Sequence, residues 1–445
     1  MHVKMSLGSF LLLIPILIMA IAFIRLQLAV ALYIMYLILV PYYNPQIMGF
    51  TLGLNLVNGV LLVAFFREVS YKKCSIRLNE MLPFVLFFII TLLLIPLQYK
   101  MPISEQFAEW KSEVLQTLIV PLIIINISKY DSSILRYIKN GLFVSMLIAG
   151  VYGIVLLFLP NGFNPYVLMV GNLCNVDTDF VEFYSDDAGR AVKRIFSTFS
   201  HPMVWALYLC FFIIVYINFR NKKNTLVVFG ILGLSLFNLL ICGVRTGIVS
   251  FLITVAYLLY KFHNLRYVTY GLLFVGILFV GLRYNKDYQD YIYSMVDDSK
   301  SKTEGSSIEM RLYQWEGVVD VARGNEVFGN GYRYPSYYKR NFGRHPKAYS
   351  FESLLFVVYS SWGVFGFIIW GIMFYMILRN NRRNMIKREH IIYLDSLVLL
   401  YFVFSMITGE YNFLTYFALF YSILYAHFRS EEQHVVKVQL LTNMN

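Results

Sequence analysis

The chain is 445 residues long, 58% hydrophobic and only 14% charged, with a mean hydropathy of +0.60. A water-soluble fold cannot cover that much apolar side chain, so the composition excludes a soluble globular protein and points to one embedded in a bilayer. A formal net charge of +12 would suggest nucleic acid for a soluble chain. Here it reads as positive loop charge with anionic lipids or phosphates, and no nucleic-acid partner is expected.

Apolar stretches long enough to cross a bilayer, about 17–25 residues, fall at 6–24, 27–43, 47–66, 81–99, 112–128, 139–160, 201–219, 225–242, 246–261, 266–283, 351–378, 391–408 and 411–428. That makes thirteen spans, or twelve if the first two form one hairpin or are partly re-entrant. The opening segment resembles a signal peptide but shows no small-residue cleavage site, so it is read as a retained first span. Cys74, Cys174, Cys210 and Cys242 are scattered without CxxC or Cys/His spacing, so neither a disulfide scaffold nor a metal site is expected.

Lysine and arginine set the orientation. Arg67, Lys72, Lys73 and Arg77 follow the third span; Lys129, Arg136 and Lys139 the fifth; Arg220, Lys222 and Lys223 the seventh; Lys261 and Arg266 the ninth; and Arg379, Arg382, Arg383, Lys387 and Arg388 the eleventh. The positive-inside rule makes these loops, and the tail from Arg429, cytoplasmic. Two long stretches then face outward from a single transmembrane domain over 1–445. Loop 161–200 is acidic and then basic. Loop 284–350 carries nearly balanced charge, and long loops translocate regardless of charge. Within the larger loop, Ser306-Ser307-Ile308-Glu309 reads as a capping box. It opens a surface helix with an apolar face of Ile308, Leu312, Trp315, Val319 and Ala322, ended by Gly324.

Four outward fragments stand out together. Arg190 and Arg194 precede Ile195-Phe196-Ser197-Thr198-Phe199-Ser200-His201-Pro202. Gly243-Val244-Arg245-Thr246-Gly247 sits in a hairpin between spans. Arg311-Leu312-Tyr313-Gln314-Trp315 leads to Phe328-Gly329-Asn330-Gly331. Glu352-Ser353 precedes Gly363-Val364-Phe365-Gly366. In this order and topology they resemble the O-antigen polymerase and ligase superfamily over roughly residues 190–370; the N-terminal half matches only in span count and hydropathy.

The resemblance implies an all-α, polytopic transmembrane helix bundle of 12–13 spans, GT-C-like, with a surface helix in its large outer loop. It implies a bacterial inner-membrane glycosyltransferase, with its active site facing the periplasm or cell exterior. It would act on undecaprenyl-diphosphate-linked oligosaccharides among membrane lipids, beside a flippase and a chain-length regulator, and without a cofactor or metal. A repeat-unit polymerase of O-antigen, capsule or exopolysaccharide is the leading reading. The alternatives are a ligase joining polymer to lipid A core or another acceptor, and a lipid-linked oligosaccharide flippase. Ligases of the family carry a histidine eleven residues before the first glycine of GxxG. Here that position is Glu352, which leans the reading towards polymerase.

The residues support such chemistry. Arginine presents a planar, always-ionised fork that suits a sugar diphosphate, and charge grows on that leaving group during transfer. Arg245, between apolar spans, is the first candidate, against simple snorkelling to headgroups. Arg311 is a candidate against a solvated helix face. Arg194 and Arg190 are candidates against balancing Asp186 and Asp187. Glu352 is the candidate base, against a helix-start acid favoured by the dipole. His345 is a displaced base or phosphate donor, against a plain loop histidine. Glu410 contacts sugar, pairs with an arginine or is a simple loop charge. Arg344 and Tyr313 complete the expected substrate contacts, and His201, before Pro202, is read as structural.

Overall fold

A computed structural model describes residues 7–40, 46–47, 50–51, 53–72, 75–160, 163–166, 194–199, 201–220, 224–262, 308–348, 351–410 and 412–443. The span expected over 266–283, the acidic run before Arg190, and Arg190 itself lie outside these residues. The described chain is helical apart from one two-residue antiparallel ladder, Gln46–Ile47 with Phe50–Thr51. The fold is an all-α polytopic bundle.

The helices in chain order are α1 (Leu7–Ile24), α2 (Leu26–Leu39), α3 (Leu54–Lys72), α4 (Leu82–Leu94), α5 (Ile103–Ile127), α6 (Ser133–Leu157), α7 (Pro202–Tyr216), α8 (Thr225–Ile241), α9 (Arg245–Phe262), α10 (Ile308–Ala322), α11 (Tyr334–Phe342), α12 (Leu354–Asn384), α13 (Arg388–Thr408) and α14 (Phe413–Asn443). Among the described residues, seven stretches, α3, α5, α6, α7 with its terminal 3-10 turn, α9, α12 and α13, are long and apolar enough to span a membrane. Part of α1 with α2, α4 and α8 form shorter apolar helices. The third expected span is displaced. The ladder takes up Gln46–Ile47 and Phe50–Thr51, and the helix begins at Leu54 and runs on to Lys72, which places Arg67 inside it rather than in the following loop.

Local chemistry explains several boundaries. Pro202 stands in the first turn of α7, where its missing N–H costs nothing. His201 caps it, its Nδ1 accepting from the Met203 N–H at 3.1 Å. α7 is buried on every side from Trp205 to Tyr216, as an all-round apolar helix must be. It packs against α8, α9, α13 and α14; elsewhere α9 packs on α13, α5 on α14 and α3, and α12 on α4.

The loops rich in lysine and arginine gather at one end. Lys129 pairs with Glu80 at 3.0 Å, and Asn380 Nδ2 donates to the Asn79 carbonyl at 3.2 Å. Lys139 Nζ donates to the Phe219 carbonyl at 3.1 Å and Arg429 to the Asn384 carbonyl at 2.6 Å. The described parts of the large loop lie at the opposite end. There Lys100 Nζ donates to the Val321 and Arg323 carbonyls at 3.0 and 2.8 Å, closing the C-terminus of α10.

The surface helix α10 forms and stops before Gly324, whose φ is +85°. Its buried face differs from the one expected. Gln314, Gly317, Val318, Val321 and Ala322 point inward, while Leu312 is 63% exposed. Two contacts set this rotation. Gly317 lies so close to Ala348 that a Cβ there would approach its backbone N to 2.6 Å, and Arg311 reaches inward to the end of α13.

Candidate functional site

The third and fourth fragments are two halves of one junction. Gly363 interrupts α12 with φ +61°, ψ −154°, a conformation costly for any residue bearing a Cβ. The break frees backbone groups inside the bundle, which need partners there. The loop after α10 supplies them. Val364 and Phe365 N–H groups donate to the Glu326 and Val327 carbonyls at 2.8 and 3.0 Å. Asn330 and Gly331 N–H groups donate to the Ser360 and Ser361 carbonyls at 3.1 and 3.3 Å. Gln98 Nε2 bridges both sides, donating to the Phe328 carbonyl at 2.6 Å and the Ser361 carbonyl at 2.8 Å. At Gly329, φ +74°, a Cβ would collide with the Ser361–Trp362 peptide. Gly329 and Gly363, one from each motif, are therefore needed for close backbone approach, and they pin the large loop to α12.

A second junction forms at the C-terminal end of α13. Arg311 Nη2 donates to the Ile407 carbonyl at 2.9 Å, and Ser353 Oγ to the adjacent Met406 carbonyl at 2.9 Å. A helix C-terminus offers unpaired carbonyls and partial negative charge, so a guanidinium is stabilised there. Ser353 also accepts from the Leu355 N–H at 3.3 Å, capping α12. Half-buried Glu352 stands immediately before this cap, so it and Arg311 approach one helix end from two elements.

Arg245 is the first residue of α9, following Gly243 at φ +66°. α9 packs on α13, and Phe262 at its far end meets Tyr393 near the start of α13, so the two run antiparallel and Arg245 lies at the same end of the pair as Ile407. Arg194 lies within electrostatic reach of Cys242, three residues before Arg245. Arg194, Arg245 and Arg311 are all half-buried and share one end of the bundle.

Glu410 occupies the α13–α14 turn and is buried. Its carboxylate accepts from the Asn412 and Leu414 N–H groups at 3.2 and 2.8 Å, capping α14. It pairs with an arginine the sequence reading did not single out. Arg333 lies 4.0 Å from Glu410, 3.5 Å from Glu113 and 4.0 Å from Glu109, and also donates to Asn412 Oδ1. Burial, then the Glu113 charge, pushes the Glu410 carboxyl up to about 7, against the pull of Arg333 and the two backbone donors. Burial opposes the charge of Arg333, but Glu113, Glu410, Tyr332 and Glu109 outweigh it and hold its pKa above the ordinary value. Tyr332 donates its hydroxyl to Glu113 at 2.9 Å, and its N–H to Gln106 Oε1 at 3.1 Å. Glu113 had one sequence signal, an acid within an apolar stretch.

The remaining candidates sit apart from these junctions. His345 Nδ1 accepts from the Lys347 and Ala348 N–H groups at 3.1 and 3.0 Å, closing a turn. Arg344 is exposed. Tyr313 is 45% exposed, with Lys347 Nζ 5.4 Å from its ring centre. Among the described residues, no group of three His, Cys, Asp or Glu is placed to hold a metal ion.

Fold and site together define a polytopic membrane protein in which Arg194, Arg245 and Arg311 share the end opposite the basic loops, where the large loop is fixed to broken helix α12. Residues 229–371, which contain Arg245, Arg311, Glu352 and both glycine motifs, match the family model described as O-antigen ligase, a match that supports membership in the O-antigen polymerase and ligase superfamily. No curated protein matches the chain.

Proposed function

We propose that the protein is a polysaccharide polymerase of the inner membrane, with the large-loop end facing the periplasm or cell exterior. It moves a growing glycan from undecaprenyl diphosphate onto an incoming lipid-linked repeat unit. The observation that carries this reading is the sharing of one bundle end by Arg194, Arg245, Arg311 and Glu352. An acceptor hydroxyl attacks the anomeric carbon of the donor sugar. The new C–O bond forms as the bond to the diphosphate breaks, with inversion, and Glu352 takes the hydroxyl proton. Undecaprenyl diphosphate leaves with the bonding electrons, and the three arginines stabilise its growing charge. Arg190, Arg344, His345, Glu410 and Tyr313 are the wider candidates for sugar and phosphate contacts. A chain-length regulator and a flippase are proposed partners.

Transfer of finished polymer to another acceptor is the second reading, favoured by the description of the matching family as O-antigen ligase. Deletion distinguishes the two. Loss of a polymerase leaves single lipid-linked repeats, whereas loss of a ligase accumulates long lipid-linked polymer. Complementation with Arg245→Ala, Arg311→Gln or Glu352→Gln is expected to lower product at least tenfold at unchanged protein level. Wild-type product from both Arg245→Ala and Glu352→Gln would overturn the assignment of these residues.

A further inference from the structure

A dense group of charges at the loop end, Arg333 with Glu109, Glu113 and Glu410, supplies neither the base nor the diphosphate-binding arginines of the proposed transfer. It joins three elements: α5 supplies Glu109 and Glu113, the segment before α11 supplies Arg333, and the α13–α14 turn supplies Glu410 and Asn412. Arg340 braces Glu109 from the solvent side at 3.3 Å. The Tyr332 hydroxyl is bound to Glu113, and Tyr401 of α13 lies within electrostatic reach of Glu410 and Glu113.

Stability alone accounts poorly for this arrangement. Buried ion pairs contribute little net stability against apolar replacements. Arg333 also adopts a left-handed backbone, φ +56°, ψ 38°, which a residue with a Cβ holds only under constraint. Such constraint concentrates where geometry matters.

Its place in the chain shows what that geometry serves. Ile407, the carbonyl on which Arg311 docks, lies three residues before Glu410, and Met406, which receives Ser353, lies one residue further back. The turn is thus held on one side by Arg311 and Ser353 and on the other by Arg333. We propose that Arg333 is a positioning residue for the transfer site: by clamping the α13–α14 turn to α5, it fixes the helix end to which both Arg311 and Ser353, the neighbour of Glu352, are bonded. The proposal rests on the functional reading above. Misplacement of a catalytic group by about 1 Å can cost on the order of 100-fold in rate, so the clamp need not touch substrate to matter.

The test uses spheroplasts of a deletion strain carrying the full chain, with the cell's own lipid-linked glycan as substrate and polymer and protein level as readouts. Arg333→Met is expected to lower polymer at least tenfold, with partial recovery in Arg333→Lys. Because Arg333→Met strands buried carboxylates, the double variant Arg333→Met/Glu113→Gln removes one charge of each sign. It is expected to restore protein level but not polymer. Arg323→Ala, which breaks only an exposed pair with Asp320, serves as the unchanged control.

External pH provides a readout that a purely structural clamp would not move in the same direction. Ionised Glu410 holds Arg333, so wild-type polymer should fall several-fold from pH 8 to pH 6, while Glu410→Gln varies little. Burial of Glu410 makes fold stability run the opposite way, so a structural role would leave polymer unchanged or higher at pH 6. Wild-type polymer from the double variant, or matching pH profiles for wild type and Glu410→Gln, overturns the proposal alone. An unchanged glycan profile in the deletion strain overturns the functional reading and the proposal together.

Discussion

Alanine at Gly363 tests the junction between the large loop and α12 most sharply. The backbone there has φ +61°, and an added Cβ would lie 2.5 Å from the Val327 carbonyl oxygen and meet that of Glu326 as well. Left-handed strain alone costs about 1–2 kcal/mol for a residue with a Cβ. Pushing the loop away breaks the bonds from Val364 to Glu326 and from Phe365 to Val327, and each donor left buried without a partner costs about 1–3 kcal/mol. The sum is about 3–8 kcal/mol, comparable to the whole stability of many domains.

Gly371, on the same helix, is the internal control. Nothing lies within 4 Å of its added Cβ, and alanine in a helix interior gains about 0.5–1 kcal/mol over glycine. Thermal unfolding in detergent, followed with membrane abundance, should show Gly363→Ala melting many degrees below wild type or failing to accumulate. Gly371→Ala should melt at or above wild type. A Gly363→Ala protein with wild-type melting, or a Gly371→Ala protein less stable than Gly363→Ala, would refute the paired-backbone account of the break.

Two further outcomes follow from the same contacts. Ser353→Ala removes the cap of α12 and the bond to Met406; a loss of about 1–2 kcal/mol is expected, with Ser353→Thr retaining most of it, read from the same melts. Glu410 binds its proton more tightly folded, near 7, than unfolded, near 4.5. Stability is therefore greatest below about 4.5 and falls as pH rises through about 7, by up to ~1.4 kcal/mol per unit. Glu410→Gln should flatten that slope, as denaturation measured across pH 5–8 would reveal.

The helices were legible because apolar length is a strong signal, and the grouping of basic loops at one end followed from lysine and arginine alone. Boundaries were less so. The start of α3 moved to Leu54 because a short ladder takes up Gln46–Ile47 and Phe50–Thr51, and hydropathy does not distinguish apolar strand from apolar helix. The face of α10 was misread because periodicity weighs Leu312 above Gly317, whereas the fold needs a glycine against Ala348 and an arginine turned inward to Ile407. Apolar pattern cannot anticipate a charged residue facing inward when its partner is a backbone carbonyl almost one hundred residues away.

The same limit separates the motifs from the clamp. Fragments around Gly329 and Gly363 stood out because a positive φ and close backbone approach admit few residue types, so their requirement is written locally. Arg333 did not, because its three carboxylates come from positions 109, 113 and 410, and only the packing of α5 against α14 gathers them. Glu410 was visible as an acid at a turn, but its role required knowing which arginine reached it. Glycine junctions fix where the loop sits on α12, and charge pairs fix where the α13–α14 turn sits on α5. Arg311 and Glu352 fall between these two fixed points. Under the proposed function, that placement holds both residues, which lie on separate elements, at one helix end for a shared substrate.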